Sequence, residues 1–553
     1  MTMALVRVAI SWAHPVPLWL ATLGMAVGLV ALSLLLVALR REDGGGRLYV
    51  LGAVTGLAID TASRTAFWTW DYAWQRDVVP MLLALLLSGI VVLLIRAGGR
   101  DLAARGERTG SWASAAALVG PFLFLQLSSL QNVAFVASSG HVSLPSAGAV
   151  VLLGDAIAAA AIGAADRLGS ARGPRLGTAA VLIVLAYLLG EVRGPGLIVV
   201  IVSTQALSAL FLAMALSPGT SPRPEQGTAW RSLLAFAIGS FALVLFTVLY
   251  QIVYRVSLPV PNTMLAPAAA LLLSLGSLGS RRGVRPIPSV RRTLLAGGIA
   301  TLLLVPAGMA LARSAPESVG NGASLRLMSY NVHLGIDGQG QLDPEAIAMV
   351  IEAQHPDVVC LQEVVRGWPG AGGMDLAEWL SHRLRMPYAY APAADDQFGN
   401  VVLSRLPLVS HLAVPLPKIS GHMRRSYLVA TVEIGGGRSI TVIDAHLEGS
   451  QPDRRSQAEQ LVARWGHAQR TVIAGDMNMQ PTDPDVSIFE AAGLVSAQDE
   501  EGQGSRSSAT RPNFPGDRPD WIFGSPELSF SGFLIGPVSP SDHRPLVVTV
   551  TIG

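Results

Sequence analysis

The chain has 553 residues, of which 51% are hydrophobic and only 14% are charged, and its mean hydropathy is +0.46. This composition excludes an ordinary soluble globular protein, which carries about 25% charged residues, and it is typical of a chain that lies largely in lipid. The net charge of +2 gives no sign of a nucleic-acid-binding surface over the whole chain. Because Cys360 is the single cysteine of the sequence, no intrachain disulfide can form.

The N-terminal part of the chain is a succession of apolar stretches, each long enough to cross a bilayer as a helix. About ten such stretches precede residue 313, separated by short interruptions of Gly, Pro and Arg. The predicted spans lie near 16–39, 48–68, 78–96, 112–136, 146–165, 175–192, 195–216, 231–254, 262–279 and 293–312. We therefore predict a polytopic α-helical membrane domain in residues 1–313, and a linker rich in Ser, Gly and Pro in residues 314–324.

The arginines predict the orientation of this membrane domain. They gather in the loops after the odd-numbered spans, as with Arg96, Arg100 and Arg105 after the third, and are sparse after the even-numbered spans. Because cytoplasmic loops carry the excess of positive charge, the odd-numbered loops are expected in the cytoplasm. The chain is thus predicted to be a multi-pass integral membrane protein whose C-terminal domain is extracytoplasmic.

Several polar residues interrupt the predicted spans, although such residues are costly in lipid and often functional. Asp60 and Arg64 lie four residues apart on one helical face, so we expect a structural ion pair. The others are candidates to line a cavity for a polar headgroup: Gln126, Gln131, Asn132, Asp155 and Glu191.

Beyond the linker, residues 325–553 show short β-type runs separated by turn signals. The predicted strands are 325–330, 358–362, 401–403, 427–434, 439–444, 471–474, 521–523 and 546–551, and the predicted helices are 344–354, 375–384 and 454–467. Many strands with interspersed helices and no strict βαβ repeat predict an α+β sandwich.

Polar side chains sit at the ends of these predicted strands, where a rigid sheet can present them together. They are Asn331, Glu363, His446, Asp476, Asn478, Asp520, Asp542 and His543. An isolated Asn or Asp at such a place is more often a turn residue, but a coincidence at every strand end is improbable.

Six segments carry these residues and a seventh, GNVVLSRLPL, lies among them; the order is SYNVH, LQEV, GNVVLSRLPL, DAHLE, GDMN, PDWIF and SDHRP within 329–545. In this order they resemble the endonuclease/exonuclease/phosphatase superfamily, which has the DNase I-like fold. The resemblance covers the C-terminal domain alone. It implies a four-layer α/β/β/α sandwich in residues 325–553 and a metal-dependent phosphodiesterase or phosphatase activity.

Hydrolysis of a phosphoester requires a group that offsets the charge of the anionic target, and a hard cation bound by carboxylate and amide oxygens does this. The cation is expected to be Mg²⁺ or Mn²⁺, with Glu363 as the main ligand and Asn331 and Asp542 beside it. The resemblance assigns deprotonation of the attacking water to His543 oriented by Asp520, or to Asp476, and leaves this choice open.

The remaining candidates would contact the substrate. Asn478 and His446 are expected to donate to the non-bridging phosphate oxygens as charge develops. Arg425 is a candidate phosphate contact, the alternative being a solvated strand edge. Asn400, in GNVVLSR, is expected either to support the site or to contact the substrate.

The fusion of this domain to many spans resembles the eukaryotic GPI-anchor lipid remodelling proteins, which implies a lipid bilayer as partner and a phosphate-containing lipid headgroup, such as an inositol phospholipid or glycolipid, as substrate. The alternatives are a membrane-anchored extracellular nuclease and a non-enzymatic transporter or scaffold with an inactive domain. A nuclease calls for a basic groove with stacking aromatics, and the C-terminal domain shows no long basic stripe.

Overall fold

The computed structural model describes residues 8–10, 18–39, 44–75, 78–103, 113–163, 165, 172–217, 228–278, 320, 322–504, 511, 516–537 and 540–553. Contacts between residues divide the chain into two compact units, Met1–Leu311 and Ala312–Gly553. The predicted tenth span, 293–312, and most of the predicted linker lie outside the described residues.

The N-terminal unit is helical throughout its described part. Its helices are α1 (Leu18–Leu39), α2 (Gly45–Ala66), α3 (Val78–Ala103), α4 (Val119–Leu125), α5 (Val133–Gly140), α6 (Leu144–Gly163), α7 (Arg172–Glu191), α8 (Pro195–Ala215), α9 (Thr228–Ile252) and α10 (Leu265–Leu278). Helical structure is therefore present at each of the first nine predicted spans.

Fewer of these helices meet the requirements of a membrane span than the sequence predicts. Within the described residues, five are long and apolar enough to cross a membrane: Trp19–Leu39, Leu144–Gly163, Gly173–Glu191, Pro195–Ala215 and Trp230–Ile252. A sixth is reached if one bent helix pair is counted as a single span. Helix α2 is not among them because it carries Arg47, Asp60 and Arg64.

Two features of the helical unit bear on the sequence predictions. Arg64 Nε donates to Asp60 Oδ2 at 2.9 Å, which confirms the predicted ion pair on α2. Large apolar side chains also project outward, and Trp19, Val199 and Trp230 are each at least 67% exposed. Apolar side chains on the outside of apolar helices form a surface suited to lipid.

The fourth predicted span, 112–136, is not one continuous helix. A short 3₁₀ segment, Ala113–Leu118, leads into α4, which passes into a π-helical turn at Gln126–Leu130. The chain then breaks and resumes as α5, bent by 48°. The predicted span is therefore a bent helix pair, in which the polar residues at 126–132 take part in local and inter-helical hydrogen bonds instead of continuing the helix.

The C-terminal unit contains two six-stranded sheets. The first has the order β11 (Leu528–Ile535), β12 (Leu546–Ile552), β1 (Ser324–Asn331), β2 (Val358–Val365), β4 (Phe398–Ser404), β3 (Tyr388–Pro392). The second has the order β5 (Leu408–Pro415), β6 (Ser426–Gly435), β7 (Arg438–His446), β8 (Thr471–Asp476), β10 (Asp520–Gly524), β9 (Val495–Ser496). The helices are α11 (Pro344–Gln354), α12 (Leu376–Leu384), α13 (Asp453–Trp465), α14 (Val486–Ala491) and α15 (Ala497–Glu500).

Successive side chains of a strand point to opposite faces of its sheet, and the buried faces form the layers of this unit. Leu327 and Val358 of the first sheet and Val442 and Val472 of the second belong to one buried cluster between the sheets. The opposite face of the second sheet, including Phe523, packs with α13 and α14 in another cluster. Helix α12 lies against β2 and β3 on the outside of the first sheet. This two-sheet arrangement with helices outside confirms the predicted sandwich.

All eight predicted strands are present, but β3, β5, β9 and β11 were not predicted. All four lie at or next to a sheet edge. Most of β5 is exposed, and β9 has only two residues. The strands that were predicted have buried apolar runs, and edge strands lack this signal because solvent covers one of their sides.

Gly475, the penultimate residue of β8, provides a test of the fold. Its φ is +144°, and a Cβ at this position would lie 1.9 Å from the carbonyl oxygen of Ala445 on the parallel neighbour β7. We expect Gly475→Ala to destabilise the C-terminal unit by about 3 kcal/mol or more, because both the backbone and the strand pairing must shift. Thermal unfolding of the full chain measures this. Gly436→Ala is the comparison, because Gly436 also has a positive φ, of +62°, but a Cβ there meets nothing within 4 Å; it should therefore destabilise less.

Candidate active site

The predicted polar residues gather where strands of the two sheets end. Asn331 is the last residue of β1, which runs parallel to β2. His446 and Asp476 are paired last residues of the parallel strands β7 and β8, and Asp520, the first residue of antiparallel β10, pairs with Asp476. Parallel strands bring their carboxyl ends to the same edge, so residues more than 200 positions apart in the sequence meet at one site.

Glu363 is placed by an irregularity in β2. The register of β2 against β4 shifts between Leu361 and Val364, and Glu363 lies in this bulge with a φ of 56°. A bulge re-aims the side chain of a strand residue, and a positive φ is unfavourable for a residue with a Cβ. The Glu363 carboxylate accepts a hydrogen bond from Asn331 Nδ2 at 3.3 Å. The fold therefore holds the Glu363 carboxylate beside the end of β1 by means of a strained backbone conformation.

Asn331 joins two carboxylates. Its Nδ2 also donates to Asp476 Oδ2 at 2.9 Å, and its Oδ1 accepts from the backbone N–H of His333 at 3.0 Å. The other oxygen of Asp476 accepts from the backbone N–H of Asn478 at 3.0 Å. Asn331 is thereby fixed in orientation, with its amide hydrogens facing Glu363 and Asp476.

His543 is held by a carboxylate on one side and faces another. Its Nδ1 lies 2.8 Å from Asp520 Oδ2, and its Nε2 lies 3.7 Å from Asp476 Oδ2. The hydroxyl of Ser541 accepts from the His543 backbone N–H and donates to the carbonyl oxygen of Asn331. The Asp520 carboxylate therefore keeps Nδ1 protonated and fixes the ring so that Nε2 points into the site.

The charges of this group perturb one another. Burial, followed by the nearby Asp520 carboxylate, raises the pKa of Asp476, and although His543 and the hydrogen bonds from Asn331 and Asn478 lower it, the net pKa is raised to about 7. Burial lowers the pKa of His543, but the carboxylates of Asp520 and Asp476 outweigh burial and raise this pKa to about 10. A carboxyl group that titrates near neutral pH thus lies beside an imidazolium.

His446, Arg425 and Asn478 form the neighbouring part of the site. Arg425 Nη1 lies 3.0 Å from Nδ1 of His446, and Asn478 Nδ2 lies 3.3 Å from Nε2. Burial lowers the pKa of His446 well below its usual range, and the Arg425 guanidinium and His543 lower it further. The His446 ring is therefore neutral at neutral pH, and the positive charge here belongs to Arg425.

Arg425 and Asn478 are both held in place. The Arg425 guanidinium lies 3.5 Å from Glu448 and stands 5.9 Å from the ring centre of Phe398. Asn478 has a φ of 51°, its side chain donates to the carbonyl of Leu447, and its own carbonyl accepts from Arg454. These contacts aim an amide and a guanidinium at the region beside Asp476.

Two predicted residues lie apart from this centre. Asn400 is buried and its Nδ2 donates to the carbonyl oxygen of Ser426 at 2.7 Å, so it links β4 to the start of β6. Asp542 lies at the rim with its side chain 40% exposed, 4.0 Å from Nε2 of His543. Asn400 therefore has the supporting contact that was one of its two expected roles, and ligation by Asp542 stays a prediction.

Sequence reasoning did not single out three residues that shape the site. Ser541 ties the His543 loop to β1, Glu448 lies against Arg425, and the Phe398 ring lies 6.3 Å from that of His446. Ser541 and Glu448 stand inside the motifs SDHRP and DAHLE, so their position in the sequence indicated that they lie near the site. Their roles depend on contacts between distant segments, which spacing along the chain does not encode.

The donor groups fit a hard divalent cation. Among the described residues, Glu363, His446 and Asp476 bring one ligand atom each within 4.8 Å of one another, and so do Asp476, Asp520 and His543. In the second group His543 and Asp520 already bond to each other, and in the first the Arg425 guanidinium lies against His446. The carboxylates of Glu363 and Asp476 are therefore the best candidates to bind a cation, whereas Asn331 turns its N–H groups toward them and its oxygen toward His333.

The loop that precedes Arg425 is anchored by one buried carboxylate. Asp453, at the start of α13, accepts hydrogen bonds from the backbone N–H groups of Ile419, Ser420 and Gly421 and from the Ser420 hydroxyl. Burial raises the pKa of Asp453, but these hydrogen bonds outweigh burial and the net pKa is lowered. The loop is thus fixed by groups that favour the charged carboxylate.

This anchor predicts a pH dependence of stability. A carboxyl with a lowered folded pKa stabilises the fold above its unfolded pKa of about 3.9, and the stabilisation is lost as the pH falls through the folded value. We expect Asp453→Asn to lower the free energy of unfolding by about 1–3 kcal/mol at pH 7. The difference from wild type should shrink as the pH falls below about 4. Denaturant unfolding at several pH values measures both, and a difference independent of pH would refute the account.

Comparisons with known proteins agree with this geometry. The model of the Endonuclease/Exonuclease/phosphatase family matches residues 328–543. No curated protein is detectably similar to the chain.

Among solved structures, an endonuclease/exonuclease/phosphatase from Beutenbergia cavernae is 28% identical, with 42% of this chain and 72% of that chain covered and a TM-score of 0.37. Sphingomyelinase C from Streptomyces griseocarneus is 18% identical, with 42% and 99% covered and a TM-score of 0.30. TDP2 from D. rerio, complexed with a single strand DNA product, is 20% identical, with 41% and 98% covered and a TM-score of 0.33.

The matched residues include every motif residue from Asn331 to His543 and lie within the two-sheet unit. Residues 328–543 are therefore a domain of the Endonuclease/Exonuclease/phosphatase family.

Proposed function

We propose that the chain is a membrane-integral, divalent-metal-dependent phosphoester hydrolase that acts on the phosphate headgroup of a lipid or glycolipid. The observation that carries the proposal is the convergence of Glu363, Asn331, Asp476 and the His543–Asp520 pair at one edge of the sandwich. The family groups endonucleases, exonucleases and phosphatases, which are enzymes that hydrolyse phosphoester bonds.

Asp476 and His543 divide the proton chemistry in this proposal. Asp476, whose pKa is raised to about 7, accepts a proton from the attacking water at neutral pH. His543, whose pKa is raised to about 10, keeps its proton and presents Nε2–H to a phosphoryl oxygen. Asp520 keeps the imidazole oriented throughout, because its hydrogen bond to Nδ1 prevents rotation of the ring.

Arg425, Asn478 and His446 bind the phosphoryl group. The Arg425 guanidinium supplies positive charge, and the Asn478 amide supplies N–H donors from a loop that Arg454 holds in place. Fixed donors stabilise charge on the non-bridging oxygens without the cost of reorganising solvent. Glu448 lies against Arg425 and positions it, without itself contacting the reacting atoms.

The Glu363 carboxylate would be the main ligand of the divalent cation, Mg²⁺ or Mn²⁺, which leaves the Asp476 carboxylate to accept the proton. When bound, such a cation offsets the charge of the phosphate and lowers the pKa of a bound water.

The helical unit supports a lipid as the substrate. A domain tethered to helices that cross a membrane meets headgroups at a high effective concentration, whereas a soluble substrate would require one anchoring helix at most. The resemblance of this organisation to GPI-anchor lipid remodelling proteins points to an inositol phospholipid or glycolipid. The proposed location of the catalytic domain is extracytoplasmic, as the arginine distribution predicts.

The substrate class is tested with the purified full-length protein and Mg²⁺. The protein is incubated with vesicles of defined phospholipids and, separately, with single- and double-stranded DNA, and the His543→Ala variant serves as the inactive control. We expect release of headgroup phosphate or phosphoalcohol and intact DNA. Cleavage of DNA without lipid hydrolysis would establish the nuclease instead, and inactivity on both substrates would favour the scaffold.

The orientation has a separate test. A reporter that is active on one side of the membrane only, fused after Gly553, should report the extracytoplasmic side. Activity of a cytoplasm-specific reporter at the same position would overturn the orientation while leaving the chemistry of the domain untouched.

A further inference from the structure

The break between α4 and α5 places a turn of polar side chains in the interior of the helical unit. The π-helical turn Gln126–Leu130 is followed by Gln131 and Asn132, and the Asn132 side chain accepts from the Phe135 backbone N–H to begin α5. π-helical turns inside helices are rare and occur frequently at functional sites. The turn is thus an ordered feature with its own cap.

The polar side chains of this turn converge on Asp155 of α6. Gln131 Nε2 donates to Asp155 Oδ1 at 2.5 Å, and Gln205 Nε2 of α8 donates to the same oxygen at 3.2 Å. Thr61 of α2 donates to Gln131 Oε1 at 2.7 Å, and Gln126 Nε2 lies within hydrogen-bond distance of Ser208 on α8. Segments from four parts of the helical unit therefore meet at one carboxylate.

Two acceptor atoms of this network have no donor. Asp155 is 4% exposed and Gln205 is 1% exposed, yet Asp155 Oδ2 and Gln205 Oε1 make no hydrogen bond. Gln205 can pack against α6 only because residue 154 is glycine: a Cβ at Gly154 would lie 1.8 Å from Gln205 Oε1. A buried carboxylate oxygen and a buried carbonyl oxygen are both electron-rich, so the group that would satisfy them carries positive charge.

The protein supplies no such charge from the described residues. The helices packed on α6 are α2, α5 and α8, and α5 and α8 contain no charged residue. On α2, Asp60 and Arg64 pair with each other, and Arg47 and Tyr49 lie about 20 Å along the helix from Thr61. The described contacts of Asp155 are with Gln131 and Gln205 alone.

We propose that Asp155, Gln205, Gln131 and the broken turn form a binding site for one small monovalent cation, Na⁺ or H⁺, inside the helical unit. A buried carboxylate oxygen and the Gln205 amide oxygen beside a discontinuous helix are the oxygen ligands that such cations prefer. The ion or proton satisfies Asp155 Oδ2 and Gln205 Oε1, and neutralises a charge that is costly to bury. The site is independent of the phosphoesterase domain and of its substrate.

The test is thermal unfolding of the detergent-purified full-length protein in two series. The first replaces choline chloride with NaCl at constant ionic strength at pH 8, and the second varies pH in choline chloride. We expect the Tm of the helical unit to rise by about 2–4 °C with saturating Na⁺, or on acidification if the proton is the ligand. Asp155→Asn should abolish this rise.

The matched control is Asp60→Asn, which removes a carboxylate that has its own arginine and should retain the rise. A second variant, Gln205→Met, leaves the carboxylate and should raise the Na⁺ concentration of half-maximal effect. A wild-type Tm that is indifferent to both Na⁺ and pH would overturn the proposal even if Asp155→Asn failed to fold. An equal loss of the rise in Asp60→Asn would overturn it too.

Discussion

Replacing Glu363 with glutamine is expected to reduce kcat/KM for phosphoester hydrolysis by about 10²–10⁴-fold, because loss of a metal-ligating charge removes several kcal/mol of transition-state stabilisation. Glutamine has nearly the same shape, so the bulge in β2 and the strained backbone are retained. The remaining activity should require a higher concentration of Mg²⁺ than the wild type does. Initial rates measured across a Mg²⁺ titration give both quantities.

The matched control for this variant is Glu433→Gln. Glu433 is an exposed residue of β6 and undergoes the same chemical change away from the site. It should retain wild-type rates and the wild-type Mg²⁺ dependence. If Glu363→Gln kept full activity at the same Mg²⁺ concentration, Glu363 would not be the main ligand and the assignment of the cation site would fail.

The second large effect concerns the His543–Asp520 pair. His543→Ala is expected to lower kcat by about 10²–10⁴-fold, because it removes the protonated nitrogen that faces Asp476 and the phosphoryl group. Asp520→Asn should also lower kcat, since the hydrogen bond to Nδ1 that orients the ring is lost. Steady-state kinetics of each variant at saturating Mg²⁺ measure the two effects.

The two residues should behave as one unit. Asp520 acts through His543, so the double variant His543→Ala/Asp520→Asn should be no slower than His543→Ala alone. His411→Ala, on the exposed strand β5, is the control for removal of an imidazole. Independent, multiplicative losses in the double variant would show that Asp520 acts by a separate route, and the positioning role would then be wrong.

The sequence predicted the strongest features of the catalytic domain because they depend on local patterns. Buried apolar runs located β1, β2, β7 and β8, and polar residues at their ends located Asn331, Glu363, His446 and Asp476. The family resemblance implied that these residues converge, and the structure shows how: β1 pairs in parallel with β2, and β7 with β8, so their carboxyl ends meet. The helical patch predicted around 344–354 is the helix Pro344–Gln354, which Asp343 caps and Pro344 begins.

The contacts between distant segments could not be predicted in this way. The bulge that gives Glu363 its φ of 56° depends on how β2 pairs with β4, and the proximity of Arg425 to His446 depends on a loop held by Asp453. The polar residues at 126–132 were visible in the sequence, but the bend of 48° between α4 and α5 depends on their partners in other helices. Patterns along a chain report which face is buried, but they do not report which segment packs against it.

Direct binding measures whether Glu363 is the main ligand of one divalent cation at this site, without reference to any substrate. Mn²⁺ is titrated into the full-length protein while free Mn²⁺ is followed by electron paramagnetic resonance. We predict saturable binding of Mn²⁺ that is lost or weakened at least about tenfold in Glu363→Gln and unchanged in Glu433→Gln. Equal binding by wild type and Glu363→Gln would contradict the account.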